Sequence, residues 1–206
     1  MTYDDTRSST VAERLDILSL LRELDDEHWQ RLTKCAGWSV SDVVAHLTAW
    51  DQLMMYTPRS RYVSSVLRWT ATMTCAGFDP HRVNARQVAN CAGLRPDEIL
   101  RRFAAQSREG PRWLFDRIAP GAQLAEYVLH HEDIRDAVER PRVIPASRLR
   151  HALDGVRRLP ALPAKSRLRQ NRWIATDLDW AAGRGPEVRL PARDVLLELS
   201  GRHALT

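Results

Sequence analysis

The sequence predicts a mainly α-helical protein, a helical bundle followed by a small α+β unit in β-β-α order. Two features carry the bundle: apolar residues recur every three to four positions through most of residues 1–140, and caps, prolines and glycines break that pattern at helix-length intervals. A third marks the ending. Beyond residue 172, short runs flank Gly183-Arg184-Gly185-Pro186, a turn between strands. At 206 residues the chain has room for one domain with a modest appendage. This gives residues 1–140 as the bundle and 141–206 as a linker and small C-terminal α+β domain.

The first helix is predicted over 11–24, with Val11, Leu15, Leu18 and Leu21 as its apolar stripe and Ser9 or Thr10 as its cap. Asp25 and Asp26 suit the start of a short turn, and Cys35-Ala36-Gly37 is a break. Ser39 and Asp42 then have capping-box spacing, in which each side chain satisfies an orphan N–H of the helix start. Val40, Val43, Val44, Leu47 and Met54 form the buried stripe of that helix, with Trp50 beside it and His46 on its flank; Trp38 is expected to pack under its first turn. Further helices are predicted between Tyr62 and Met73, from Pro80 to Asn90, and from Pro96, where Ile99, Leu100 and Phe103 face inward until Gly110-Pro111 interrupts. After Pro120-Gly121 a helix runs from Ala122 to Val138, stopped by Pro141. A short helix follows at 147–159, then a strand at 172–177, a returning strand at 187–190 and a last helix at 192–199 closed by Gly201.

Composition excludes several classes. With 44% hydrophobic and 28% charged residues the chain is neither disordered nor a fibrous rod. Its three cysteines (Cys35, Cys75, Cys91) lack CxxC spacing, which rules out a regular disulfide framework and a four-cysteine zinc ribbon. That usage and the polar, acidic start predict a cytoplasmic protein without a signal peptide. No apolar run reaches the roughly 18 residues of a membrane span. The net charge of +5 is spread through the chain, which disfavours nucleic acid as a partner. The segment Arg148 to Arg172 is the exception, with eight bases against Asp154; it reads as a solvated face or an anion-binding surface. No GxSxG or GxxxxGK[ST] motif occurs.

The chemistry concentrates on few residues. Glu126 and His130, four apart on one helix, lie one turn from each other and can grip one metal ion. A third ligand must come from another helix, and His46 is the natural candidate. Two imidazoles and a carboxylate with an open position form a catalytic zinc set, and equally the facial triad of non-haem iron. Periodicity leaves the histidine open: His131 lies near the centre of the stripe made by Leu124, Tyr127, Val128, Ile134 and Val138, while His130 sits on its flank. His28, His81, His151 and His203 have no partner at ligand spacing and read as surface residues. Cys35 reads as structural, with a reactive thiol near a helix start as the alternative.

Residues 35–47 (CAGWSVSDVVAHL) resemble the GW-x-V-x-D-V-V-x-H-L signature of the mycothiol-dependent maleylpyruvate isomerase family, within the DinB-like metalloenzyme superfamily. Residues 126–137 (EYVLHHEDIRDA) resemble its second signature, ExxxH followed by D-x-R-x-A, and IATD, GRGPEV and LSGR near the end are similar to its C-terminal domain. The resemblance implies a DinB-like four-helix bundle whose metal ligands are His46, Glu126 and His130, so it selects His130 over His131. Asp42 and Asp133 then stand where a carboxylate can orient a ligating imidazole. Arg202 matches a position for binding an anionic substrate, or is a cation favoured at a helix C-terminus. The implied cofactors are a divalent metal, most simply zinc, and mycothiol or a similar low-molecular-weight thiol as cosubstrate. The implied function is thiol transfer to, or cis–trans isomerisation of, a small electrophile. A metal-dependent hydrolase without thiol and a non-catalytic binding or regulatory protein are the alternatives.

Overall fold

The computed structural model describes residues 3–35, 37–50, 62–107 and 121–202. Met54, the Gly110-Pro111 break, Pro120 and His203 lie outside them, as does the side chain of Trp50. The described helices before the linker are α1 (Tyr3–Leu21), α2 (Asp26–Gln30), α3 (Val40–Trp50), α4 (Tyr62–Cys75), α5 (Pro80–Ala89), α6 (Pro96–Ser107) and α7 (Ala122–Ala137). Helices α1, α3, α6 and α7 form the bundle, each of α1 and α3 packing on both α6 and α7. This is a DinB-like arrangement. No described helix is long and apolar enough to cross a membrane.

Helix α1 begins earlier than its periodicity predicts and buries only part of the predicted stripe. Leu15 is exposed, whereas Glu13, Arg14, Ile17, Leu18 and Leu21 are buried. The two charged side chains go inside because each has partners there. Arg14 lies across the rings of Phe103 and Tyr127 and donates to the Tyr127 hydroxyl. Glu13 meets His131, Arg142 and Arg148.

Helix α3 starts as its sequence requires. The Ser39 N–H donates to Asp42 Oδ2 (2.9 Å), and the Asp42 N–H donates to Ser39 Oγ (3.2 Å). Val40, Val43, Val44 and Leu47 are buried against Ile17, Phe103, Tyr127 and Ile134. Each such aliphatic side chain contributes about 1.5–3 kcal/mol by leaving water.

Helix α7 is buried along most of its length, polar residues included. Tyr127 and Ile134 belong to the bundle core. Leu124, Val128 and Leu129 belong to a second core with the C-terminal part. Its start abuts α8 (Ala146–Val156), where a Cβ on Gly155 would stand 2.0 Å from the Gly121 carbonyl oxygen. Only glycine lets the two backbones come this close.

The C-terminal part also holds α9 (Ala164–Gln170), β1 (Arg172–Ala175), β2 (Ala181–Gly183), β3 (Glu187–Leu190) and α10 (Ala192–Ser200). The predicted α+β ending is present with two refinements. A third strand, β2, pairs antiparallel with β1 through Trp173↔Ala182. The strand at 187–190 crosses to the other edge of β1 and runs parallel to it, so it does not return as predicted. Trp173 and Trp180 anchor this sheet in the second core, and Trp180 donates to Asp154 (3.0 Å). Asp177 accepts from the Ala192 N–H (2.7 Å) to start α10, and Gly201 ends it at φ +84°. The chain thereby delivers Arg202 to the middle of α7.

Candidate metal centre

The antiparallel approach of α3 and α7 brings His46, Glu126 and His130 together. Glu126 Oε1 lies 3.1 Å from His46 Nε2 and 3.3 Å from His130 Nε2. All three ligand atoms fall within 4.8 Å of one another. A tetrahedral ion with bonds of about 2.0–2.1 Å separates its ligands by about 3.3 Å, which the two carboxylate–imidazole distances match. Both histidines are buried, while 28% of the Glu126 side chain is accessible, which puts the solvent entrance on the carboxylate.

The charges are set by mutual contact. Burial opposes charge on Glu126, but hydrogen bonds with His130 and His46 hold its carboxyl well below the usual range. Burial also opposes charge on His130, and bonds to Asp133, Cys35 and Glu126 still raise it well above an ordinary imidazole. Burial lowers His46, against the bond to Glu126 and with the neighbouring His130 and Arg202 charges.

Behind His130 is a second set of contacts. Its Nδ1 lies 3.0 Å from Asp133 Oδ2, so a carboxylate stands on the ring nitrogen that faces away from Glu126. Arg202 donates to Asp133 through Nε and Nη2, each at 2.7 Å. Cys35 Sγ joins them, 3.2 Å from Asp133 Oδ2 and 3.5 Å from Arg202 Nη2. Cys35, His130 and Asp133 also have ligand atoms close enough for an ion. The guanidinium of Arg202 already supplies the positive charge there, which favours the His46 side for a metal.

His131, the rival on the stripe, faces α1. Its Nδ1 lies 2.8 Å from Glu13, and its Nε2 accepts from Arg135 Nε (2.9 Å). Arginine only donates, so Nδ1 carries the proton and neither nitrogen is available as a ligand. Asp42 is engaged with Ser39 at the start of α3.

Trp38 does more than support a helix turn. Its ring stands 5.1 Å from that of His46 and 6.5 Å from that of His130, walling both imidazoles. His81 is exposed and His28 is half-buried against Asp25. His151 is buried, contrary to expectation, with its backbone carbonyl against Gly121 and its ring facing Ser9 (3.4 Å). Within the basic segment, Arg148 pairs with Glu13 and Asp16, Arg150 with Asp179, and Arg167 with Glu198.

Residues 11–135 match the family described as the mycothiol maleylpyruvate isomerase N-terminal domain. Among solved structures, the one titled crystal structure of the mycothiol-dependent maleylpyruvate isomerase is similar in fold, with a TM-score of 0.62. The likeness covers 98% of this chain and 90% of that one at 14% identity. No curated protein sequence matches the chain.

Proposed function

We propose, from the premise that this chain belongs to the mycothiol maleylpyruvate isomerase N-terminal domain family, that it is a divalent-metal enzyme whose cosubstrate is a low-molecular-weight thiol. The observation that carries the reading is the meeting of His46, Glu126 and His130 around one point with the carboxylate open to solvent. Two imidazoles and a carboxylate suit zinc. A divalent ion held by His46, Glu126 and His130 would supply the positive charge that lowers the pKa of a nearby thiol.

The chain's own residues do the rest. Asp133 fixes the tautomer and tilt of His130. Trp38 keeps water from the imidazole faces. Arg202, which already holds both Asp133 oxygens, is the candidate cation beside the site for an acidic group on the electrophile. Asp42 acts further out, setting the helix start from which His46 projects. The thiol gives up its proton and its sulfur adds to an electrophilic double-bond carbon of the second substrate, breaking the π bond. An adduct that persists is the product of an S-transferase, and one that expels the thiol after bond rotation gives a cis–trans isomer. A reducing compartment, the cytoplasm, suits a thiol cosubstrate and three free cysteines.

Metal analysis of the purified chain should find about one divalent ion per molecule. Thiol consumption over a panel of electrophiles should require that ion. Equal thiol affinity with and without metal, or turnover of the same electrophiles with no thiol present, would overturn the thiol assignment.

A further inference from the structure

We propose that Cys35 is a positioning residue of the metal centre, holding the Asp133 carboxylate in the plane from which it fixes His130. This rests on the reading of His46, Glu126 and His130 as ligands.

Asp133 is buried, with 1% exposure, and takes four donors. Arg202 Nε reaches Oδ1; Arg202 Nη2, His130 Nδ1 and Cys35 Sγ converge on Oδ2. Arg202, just past the end of α10, grips both carboxylate oxygens from one side. Cys35 approaches from a different element on a side chain with one rotatable bond.

Both backbone groups of Cys35 are hydrogen-bonded. The Cys35 N–H donates to Thr33 Oγ1 (3.2 Å), whose hydroxyl donates to the Trp38 carbonyl (3.0 Å). The Trp38 N–H returns to the Cys35 carbonyl (2.9 Å) across Gly37 at φ +80°. One hydrogen-bonded segment thus sets Trp38 against the imidazole faces and the Cys35 thiol against the carboxylate behind them. Lys34 ties the same turn to α7 through Asp136 (2.6 Å), away from His130. That neighbour separates loss of the thiol from loosening of the turn.

Zinc affinity of the full chain, measured by competition with a chromogenic chelator, tests this. Cys35→Ala should bind about tenfold more weakly, at the low end for residues that orient a ligand. Cys35→Ser, which keeps a donor, should stay within about twofold of wild type. Lys34→Ala should bind as wild type does. In an Asp133→Asn background the cost of Cys35→Ala should shrink, because the thiol acts mainly through that carboxylate and only at 3.8 Å on His130 Nδ1 itself. The absorption spectrum of the cobalt-loaded protein should shift in Cys35→Ala and be restored in Cys35→Ser. Wild-type affinity in Cys35→Ala, an equal loss in Lys34→Ala, or additive losses in the double variant would each overturn the proposal. A wild-type chain that binds no divalent ion removes the metal reading itself, and this proposal with it.

Discussion

His130 and His131 are neighbours on α7, yet they live in opposite surroundings. His130 turns toward α3 and sits between two carboxylates, Glu126 and Asp133, which raise its proton affinity. His131 turns toward α1, where burial together with the nearby Arg142 and Arg135 lowers its proton affinity despite the bond to Glu13. One has a nitrogen aimed at a solvent-accessible carboxylate; the other has both nitrogens closed by protein. A rotation of about 100° along a helix is enough to separate a side chain available for chemistry from one that holds the fold. Burial does not make the distinction, since both histidines are buried.

The comparison breaks most directly on metal content. His130→Ala and His46→Ala should each abolish metal occupancy, a change of at least about a hundredfold in affinity. His131→Ala should leave occupancy near wild type. If His131→Ala strips the ion and His130→Ala retains it, the roles are reversed and the ligand set is wrong.

Stability should show the converse. His131→Ala removes a neutral donor from Glu13 and the acceptor of Arg135 in a buried network, and should cost about 3 kcal/mol by denaturant unfolding of the metal-free protein. The loss stays at the low end because Arg142 and Arg148 still neutralise Glu13. An unchanged midpoint would show that the α1 side contributes nothing that its arginines do not already supply.

Acid sharpens the same contrast. Burial works against the Glu13 charge, but His131 and Arg142 bring its pKa from 4.5 down to about 2. A carboxyl lowered on folding stabilises the native state above its unfolded pKa. That contribution is lost as pH falls from about 4.5 toward 2, and amounts to about 3 kcal/mol. Wild-type stability should therefore fall through this window more steeply than that of Glu13→Gln. Parallel pH profiles for the two proteins would count against a charged Glu13.

Much of the bundle was legible because its signals are local. The Ser39–Asp42 box, the Pro80 and Pro96 starts, and the Gly201 stop each depend on residues within a few positions. The α1 face was legible only at Leu18 and Leu21, because Glu13 and Arg14 are buried by partners more than a hundred residues away. The stripe on α7 pointed to His131 for a related reason. A helix covered on nearly every side has no single inward face, so the centre of its apolar stripe does not mark the site. Choosing His130 required the family resemblance. Strand β2 was missed because Ala-Ala-Gly has little strand propensity; it is held by its ladder to β1. Cys35 and Trp38 lie within the resembling segment, but their roles depend on where α7 places its histidines.

The smallest effect asks whether the division seen on α7 extends to α3. Asp42 lies one turn before His46, the spacing at which a carboxylate could steer an imidazole, yet its oxygen takes the Ser39 N–H and hydroxyl. A cap of this kind is worth about 1 kcal/mol. Asp42→Ala should lower thermal stability by that amount and leave zinc affinity within about twofold, whereas Asp133→Asn should weaken zinc by tenfold or more, on the order expected for the partner of a ligating histidine. The two carboxylates would then do different work, one shaping the helix that presents a ligand and the other touching the ligand itself. Equal losses of zinc affinity in both variants would mean that Asp42 reaches His46, and that a helix start and an oriented imidazole are one device on α3.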